Sequence, residues 1–261
     1  MLRPSRGQRP GWAGQALPLR GLIPCTRFDV TRHASSNADV SRVERTPPGY
    51  PTLNPEEPKK ENIKPTGKMD YPDRDIYMNL DSSAQLSGLH ACEKEPKTVE
   101  WIETYRRPGD VLCDIGANVG AYSFVAYAVT GGSYLIYAFE PSFTSFAALS
   151  QNILLDGYQE TIIPLHVALT HETELIPLNY SSIVPGASLH YLGEAIDETG
   201  HSFQPVFTQP ILSYRLDDLV RQFPLKPANH IKIDVDGGGL VWCVGLEKHW
   251  RSPNCVQSLS R

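Results

Sequence analysis

The sequence contains no lysine or arginine from Pro108 to Tyr214, although ten acidic residues lie in that stretch. Proteins that bind phosphate groups or a nucleic-acid backbone usually place clustered cations at the binding site. The whole chain has a formal net charge of −5, and because residues 1–28 carry five arginines and no acid, the remainder carries −10. This acidic body argues against a nucleic-acid substrate, and its central half offers no cation to a phosphate.

Metal-binding and membrane-spanning patterns are also missing. The five cysteines form neither a CxxC pair nor a Cys/His spacing typical of a metal site. No apolar run reaches the roughly 20 residues of a membrane-spanning helix, and no secretory signal is present. We therefore predict no membrane span and a cytoplasmic location, in which the cysteines are idle thiols. The arginine-rich, acid-free N-terminus is typical of a mitochondrial transit peptide, which is the alternative.

Residues 1–75 differ in composition from the rest of the chain. They hold 11 of the 22 prolines, and their apolar residues follow neither a helical nor a strand period. We predict a disordered, proline- and arginine-rich leader over residues 1–75 and one folded domain over residues 76–261. Within this domain Thr98–Arg107 is the first long predicted helix.

What the sequence does contain is a strand, a glycine turn and a helix in close succession. Val111–Cys113 is an apolar strand, and Asp114-Ile115-Gly116 turns the chain into an apolar helix. A second apolar strand, Leu135–Phe139, ends in Glu140, 24 residues after Gly116. An acid at that distance can accept both hydroxyls of a ribose lying across the strand ends. The pattern predicts the first part of a nucleotide-binding α/β sheet.

The glycine spacing indicates a nucleotide without phosphates. In the dinucleotide fingerprint a middle glycine lets the backbone approach a pyrophosphate, but here that position holds Asn118, between Gly116 and Gly120. S-adenosylmethionine carries an adenosine and a sulfonium cation without a phosphate, so we predict it as the cofactor. A nicotinamide-dependent oxidoreductase is an alternative by fold analogy alone, and the chain lacks both that glycine and a Tyr-x-x-x-Lys pair.

The later segments predict the order of the sheet. Pro141-Ser142 opens a helix that runs to about Leu155, and Thr161–Leu169 is a third strand. Pro164 lies inside this strand, and because proline cannot donate to a central ladder, we place the strand at an edge, as an order of 3-2-1-4-5 requires. Residues 173–214 are predicted as an insertion or hairpin over the mouth of the site.

A fourth strand is predicted at Ile231–Gly237, with Lys232, Asp234 and Asp236 on one side of it. An ion pair between Lys232 and a carboxylate is the structural explanation for one of these acids. Two acids at the carboxyl end of a central strand, beside the strand that carries Asp114, also favour a catalytic or substrate-binding role.

These segments occur in the order seen in FkbM-family methyltransferases, which the chain resembles over about residues 76–250. The segments are DIGANVGAYS, AFEPS, the Gln151-Asn152-Ile153 helix, SYRLDDLV and IKIDVDG, preceded by EKEPKTVEWIE at 93–103. The resemblance implies a class I S-adenosylmethionine-dependent fold, a Rossmann-like doubly wound α/β sheet. It also implies O-methylation of a hydroxyl on a sugar or secondary metabolite.

The resemblance implies roles for individual residues as well. The expected cofactor ligands are Asp114, Gly116, Asn118 and Gly120 around the methionine part, and Glu140 with the adjacent Ser142 at the ribose.

Methyl transfer also needs the removal of one hydroxyl proton, and three residues are candidates for that step. Asp234 is the first, Asp236 the second, and His166 at the end of strand three the third, although a histidine in such a place is more often structural. Magnesium held by Asp234 and Asp236 would lack a visible third ligand, so no metal is predicted.

Two departures from the family pattern affect these expectations. Gly239 stands where the family usually has a glutamate, and only Asn254–Ser260 remains for strands beyond the fourth. We therefore expect a C-terminally truncated sheet, a fragment or a chain completed by a partner, with an exposed sheet edge through which it could oligomerise. A binding-only, inactive module is the matching functional alternative. Otherwise the expected partner is a small-molecule or glycan hydroxyl acceptor.

Overall fold

The computed structural model describes residues 64–105, 107–197 and 199–235. The strands are β1 (Thr66–Lys68), β2 (Tyr77–Asn79), β3 (Val111–Ile115), β4 (Leu135–Phe139), β5 (Ile162–Leu165), β6 (Ala168–Leu169), β7 (Glu174–Tyr180), β8 (His190–Leu192), β9 (Phe207–Tyr214) and β10 (His230–Ile233). The helices are α1 (Leu86–Leu89), α2 (Ala91–Lys94), α3 (Pro96–Thr104), α4 (Ala121–Thr130), α5 (Phe143–Leu155) and α6 (Leu216–Gln222).

A parallel four-stranded sheet forms the centre of the described fold. Its strand order is β10-β3-β4-β5, so the first predicted strand lies between the second and the fourth, as expected for an α/β Rossmann-like sheet. Pro164 pairs with Ala138 from the outer strand β5. The predicted edge position of this proline strand is confirmed.

The third predicted strand is shorter than the sequence indicated. We predicted one strand over Thr161–Leu169, whereas the chain leaves the parallel sheet after Leu165 and β6 pairs with β9 in a second sheet. His166 and Val167 connect the two pieces. A continuous apolar run does not reveal such a transfer between sheets, because both pieces are extended.

The two faces of the parallel sheet pack into separate cores. Leu112 and Ile136 belong to a core built with α3, α4 and α5. Cys113, Ile115 and Ile231 belong to a second core that includes residues of α6. Because successive side chains of a strand point to opposite faces, β3, β4 and β5 contribute to both cores, whereas the apolar residues of β10 belong to the second core alone. This doubly covered parallel sheet is the α/β class that the sequence predicted.

The folded region begins before the predicted boundary at residue 76. β1 pairs antiparallel with β2, and Met69 and Tyr71, which lie between them, are buried in the core of α3, α4 and α5. The prediction placed residues 64–75 in the leader because three-residue strands are too short to show a period. The rest of the predicted leader lies outside the described residues.

Residues 168–214 contain a mostly antiparallel second sheet of order β6-β9-β7-β8. β7 and β9 pair along their length from Glu174–Ser213 to Tyr180–Phe207. The predicted hairpin is therefore present. Tyr180 from this sheet accepts a hydrogen bond from the backbone N–H of Phe143, the first residue of α5, at 3.0 Å. The hairpin thus packs at the carboxyl end of the parallel sheet.

Among the described residues, none of the helices has the length and apolar character needed to cross a membrane. Asp236, Gly239 and the segment Asn254–Ser260, on which three of the predictions depend, lie outside the described part of the chain.

Candidate functional site

Glu140 follows strand β4 and is held by two backbone N–H groups. The N–H of Asn118 donates to Oε2 and the N–H of Ser142 donates to Oε1, each at 2.8 Å. The residue is 6% exposed. Hydrogen bonds to a carboxylate are short and strong, so these two fix the orientation of the group. The contact joins the turn after β3 to the start of α5, and it brings together three of the residues that the sequence assigned to one site.

The turn after β3 depends on close packing. Gly116 has a φ of 74°, and a Cβ at this position would lie 1.9 Å from the carbonyl oxygen of Asp234. A Cβ on Gly120 would lie 2.6 Å from the ring of Phe124 and 2.7 Å from Leu149. Both positions therefore require glycine for contacts within the protein. The sequence predicted a tight turn at Gly116, and the resemblance placed both glycines around the cofactor; packing within the protein by itself requires glycine at each position.

Asn118 lies at the tip of the turn and has a φ of 49°, in the left-handed region that asparagine tolerates. Its Nδ2 donates to the carbonyl of Gly186 at 3.3 Å. Its Oδ1 is buried and has no hydrogen-bond partner among the described residues. Buried acceptors are rarely left unsatisfied, so this oxygen is suited to a donor supplied by a ligand. The ammonium of the methionine part of S-adenosylmethionine is such a donor, and the residues therefore fit this cofactor.

Asn152 supports the same turn from behind. Its Nδ2 donates to the carbonyl of Val119 at 3.1 Å, and its Oδ1 accepts from the backbone N–H and the Nδ2 of Asn79 at 2.9 and 3.0 Å. Asn152 is fully buried. One side chain of α5 thus ties strand β2 to the turn. Asn152 belongs to a sequence motif for which no role was predicted. Its hydrogen bonds indicate that it holds the turn in place.

Asp114 is placed differently from the prediction. Its side chain is 1% exposed, Oδ1 accepts from Lys232 Nζ at 2.9 Å, and Oδ2 accepts from Ser123 Oγ at 2.7 Å. Strands β3 and β10 are in register with Asp114 beside Lys232, so the two side chains share one face of the sheet. Both carboxylate oxygens have protein partners. Asp114 therefore neutralises Lys232, and the expected contact of its side chain with a methionine moiety stays a prediction.

Asp234 follows β10 at the same end of the sheet. Its Oδ2 lies 3.7 Å from Lys232 Nζ, its side chain is 24% exposed, and its backbone N–H donates to the carbonyl of Ile115 at 2.9 Å. The residue therefore adjoins both the buried ion pair and the turn. The neighbouring acid, Asp236, is outside the described residues.

Lys232 is surrounded by acids and an aromatic ring. Its Nζ lies 4.8 Å from the centre of the Tyr122 ring, a distance at which a cation and a π system attract each other. Burial by itself would lower the pKa of Lys232, but the charges of Asp114 and Asp234 outweigh burial and raise it above the ordinary value. Burial, together with the nearby charges of Glu95 and Asp234, raises the pKa of Tyr122. Lys232 is therefore a cation and Tyr122 a neutral phenol at physiological pH.

His166 lies far from Asp234. It follows β5, one edge of the described sheet, whereas Asp234 follows β10, the other edge. Three strand spacings separate these edges, which amounts to about 14 Å. The His166 ring stacks on Phe146, and Nε2 lies 3.0 Å from the carbonyl oxygen of Pro141, to which it can only donate. The two candidate bases thus follow opposite edges of the described sheet, and His166 adjoins the Glu140 side of the site.

Ser142 contributes mainly through its backbone. Besides the N–H donated to Glu140, its Oγ lies 3.1 Å from Thr144 Oγ1, and the side chain is buried. It is the N-cap residue of α5. Its predicted role in cofactor binding stays a prediction.

Gln85, Gly186 and Lys232 adjoin the site without having been selected as site residues from the sequence. Lys232 was considered only as an ion-pair partner. Gln85 and Gly186 carry no motif, and their contacts join segments about 100 residues apart. The feature of the sequence that could have indicated these contacts is the loop of the predicted hairpin, which is rich in small residues and was expected over the mouth of the site.

The chain is similar in sequence to known methyltransferases. The sequence model of one family, described as "Methyltransferase FkbM domain", matches residues 114–257. Methyltransferase sdnD of Sordaria araneosa is 25% identical over 160 residues, which are 53% of this chain. The matched region spans 61% of the length of that relative.

Solved structures also match parts of the chain. A precorrin-6y C5,15-methyltransferase from Geobacter metallireducens has a TM-score of 0.32 and 12% identity, over 56% of this chain and 50% of its own. A SAM-dependent methyltransferase from Agrobacterium tumefaciens has a TM-score of 0.29 and 15% identity, over 42% of this chain and 34% of its own.

Proposed function

Because this chain belongs to the FkbM methyltransferase family, we propose that it transfers the methyl group of S-adenosylmethionine to a hydroxyl oxygen of a small-molecule or glycan acceptor. S-adenosylmethionine is the cofactor of the family. The chain spans about three fifths of the curated relative that it matches, so the activity and the acceptor are both part of the proposal.

The position of Glu140 carries the proposal. A carboxylate at the end of the second strand of a nucleotide-binding sheet is placed to accept the hydroxyls of a ribose. In this chain the carboxylate is already oriented by the N–H groups of Asn118 and Ser142, so no side-chain rotation is needed when a ribose binds. The absence of cations from Pro108 to Tyr214 supports a nucleoside ligand without phosphate groups.

Asp234 is our candidate for the group that receives or orients the acceptor proton. The bound cofactor supplies an electrophilic methyl group on a positively charged sulfur. Transfer to oxygen then requires that a hydroxyl be aligned and that its proton be removed. Asp234 is partly exposed at the carboxyl end of β10, and its Oδ2 lies 3.7 Å from Lys232 Nζ. His166 stacks on Phe146 and its Nε2 donates to the carbonyl of Pro141, which favours Asp234 over His166 for this step.

We place this reaction in the cytoplasm. Cys92 and Cys113, the cysteines in the described part of the chain, are free thiols. Burial raises the pKa of each to about 12, so both are unreactive as nucleophiles.

The cofactor assignment is tested by calorimetric titration of the full chain with S-adenosylmethionine, S-adenosylhomocysteine and NAD. We expect the first two to bind and NAD to bind far more weakly. Glu140→Gln replaces one acceptor oxygen by an amide NH₂ and should weaken binding about 10- to 150-fold, which corresponds to roughly 1.5–3 kcal/mol. Glu160→Gln, the same change at an exposed position, should have no effect. Tighter binding of NAD would contradict the proposal.

The transfer itself is tested with cofactor that carries a labelled methyl group. Incubation with a panel of sugars and hydroxylated metabolites should move the label to one acceptor class and release S-adenosylhomocysteine in equal amount. Cofactor binding without label transfer to any hydroxyl acceptor would favour the binding-only alternative.

A further inference from the structure

We infer that Gln85 is an additional cofactor ligand, whose Nε2 donates a hydrogen bond to the carboxylate of the methionine part. The inference rests on the proposed function. Gln85 belongs to residues 64–95, which precede the region matched by the family model, and it carries no motif of that family.

The orientation of the Gln85 amide is fixed by the protein. Its Oε1 accepts hydrogen bonds from the backbone N–H groups of Asp81 at 2.5 Å and Ser82 at 3.0 Å. A backbone N–H can bond only to the oxygen of an amide, so Nε2 must be at the other end of the group. The side chain is 0% exposed, and Nε2 has no hydrogen-bond partner within the described residues. A fully buried, unsatisfied donor of fixed direction is rare without a ligand or water.

The position of this donor relative to Asn118 follows from Gly186. A Cβ on Gly186, whose φ is 83°, would lie 3.0 Å from Gln85 Cγ and 3.1 Å from Gln85 N. The carbonyl of the same Gly186 accepts from Asn118 Nδ2. In addition, Ser82 Oγ donates to the carbonyl of Pro185 at 2.6 Å. Gln85 and Asn118 thus both contact one residue of the hairpin loop.

The two unsatisfied atoms match the two charged groups of the ligand. Gln85 Nε2 is a buried donor and Asn118 Oδ1 is a buried acceptor. The amino-acid end of S-adenosylmethionine carries a carboxylate, which accepts, and an ammonium, which donates. Lys232 is engaged by Asp114, and the sequence from Pro108 to Tyr214 has no cation. Among the described residues, the neutral amide of Gln85 is therefore our candidate donor for the carboxylate.

Gln85→Glu separates this role from a structural one. The glutamate keeps an acceptor oxygen for the N–H groups of Asp81 and Ser82, so the turn at 81–85 is preserved. It replaces the donor by a second oxygen, which repels a carboxylate. Gln151→Glu is the matched control, because Gln151 is exposed and its Oε1 accepts from Lys64 at 2.8 Å on the surface of α5.

The experiment is a calorimetric titration of wild type and both variants with three ligands. These are S-adenosylmethionine, its decarboxylated form, and 5′-methylthioadenosine, which lacks the whole amino-acid end. We expect Gln85→Glu to raise the Kd for S-adenosylmethionine at least 10-fold and the Kd for the other two ligands less than twofold. Gln151→Glu should change none of them. An equal loss for all three ligands, or no loss for S-adenosylmethionine, would overturn the inference.

A second measurement needs no variant, and it can still overturn the inference if Gln85→Glu fails to fold. Wild-type protein should bind decarboxylated S-adenosylmethionine at least 10-fold more weakly than S-adenosylmethionine, and equal affinities would overturn the inference. Failure of wild type to bind any of the three ligands would overturn the proposed function and this inference together. If the protein binds S-adenosylmethionine and its decarboxylated form equally well, the inference about Gln85 is overturned and the proposed function is not.

Discussion

Lys232 Nζ lies 2.9 Å from Asp114 Oδ1, and the two side chains are only 3% and 1% exposed. The parallel register of β3 and β10 pairs these residues directly. Taking two charges out of water is costly, and their attraction offsets that cost only while both partners are present. The ion pair therefore links β3, which leads into the glycine turn, to β10, which leads into Asp234.

Removal of one partner should destabilise the fold strongly. Lys232→Met leaves Asp114 buried and uncompensated, and we expect the free energy of unfolding to fall by about 3–5 kcal/mol in urea denaturation. Lys232→Met combined with Asp114→Asn removes both charges and retains an acceptor for Ser123 Oγ. The double variant should recover most of the loss, and a double variant as unstable as the single one would contradict the prediction.

The same pair has a defined pH dependence. The pKa of Lys232 in the folded protein lies above its ordinary value of 10.5. The stabilisation that it provides is therefore fully present below about pH 10 and is lost as the pH rises through the raised value. Between pH 7 and 10 the difference in unfolding free energy between wild type and Lys232→Met should stay constant. A difference that shrinks in this range would show that Lys232 loses its proton there.

Asp234→Asn should separate chemistry from binding. If Asp234 removes or orients the acceptor proton, the substitution lowers turnover about 100-fold or more with the acceptor found in the label-transfer screen. The Kd for S-adenosylmethionine should change little. Asp218→Asn, in which the altered carboxylate pairs with Arg221 on α6, is the surface control. A parallel loss of cofactor affinity would assign Asp234 to binding.

Asn152→Asp tests how the glycine turn is held. The variant keeps an acceptor for Asn79 but loses the donor to the carbonyl of Val119, which then stays buried without that bond. We expect the free energy of unfolding to fall by about 1–3 kcal/mol and the cofactor to dissociate faster. Urea denaturation and stopped-flow displacement measure the two effects. Ser150→Ala, which removes only a bond from Ser150 Oγ to the carbonyl of Phe146, should leave cofactor dissociation unchanged.

His190 should make the protein less stable in mild acid. Burial lowers the pKa of His190 from 6.5 to about 4, and neither ring nitrogen has a hydrogen-bond partner in the described part of the chain. Between these values the unfolded chain binds a proton that the folded chain does not, so stability falls as the pH drops from 6.5 to 4.

His190→Phe retains a ring beside Tyr180 and removes the titration. In thermal melts at pH 7, 5.5 and 4.5, its Tm should decline less than that of wild type. His171→Gln, at an exposed histidine, should follow wild type. Identical declines in wild type and His190→Phe would exclude His190 as the source.

The residues that the sequence could place together are those that lie just after the apolar strands. Gly116, Asn118 and Glu140 follow directly from apolar strands, and the carboxyl ends of neighbouring parallel strands meet at one edge of a sheet. Pro164 located the edge strand because its missing N–H is a local property.

The features that were missed or misassigned depend on register and on contacts distant in sequence. Whether Asp114 faces a ligand or Lys232 is decided by the pairing of β3 with β10, and alternation alone does not supply that pairing. Gln85 sits in an ordinary polar run, and its contact with Gly186 of the hairpin loop joins segments about 100 residues apart. Short strands such as β1 give no periodic signal, which is why the domain boundary was placed too late.

The close approach of Gly116 to the carbonyl of Asp234 has a consequence for the relative positions of the groups that would take part in the reaction. The turn that would surround the methyl donor and the acid that would face the acceptor are in direct backbone contact, and the N–H of Asp234 is bonded to Ile115. We therefore expect the backbone at Asp234 to stay close to the turn when ligands bind. Differences in rate between acceptors should then reflect how each acceptor is seated, since the catalytic groups themselves need no rearrangement.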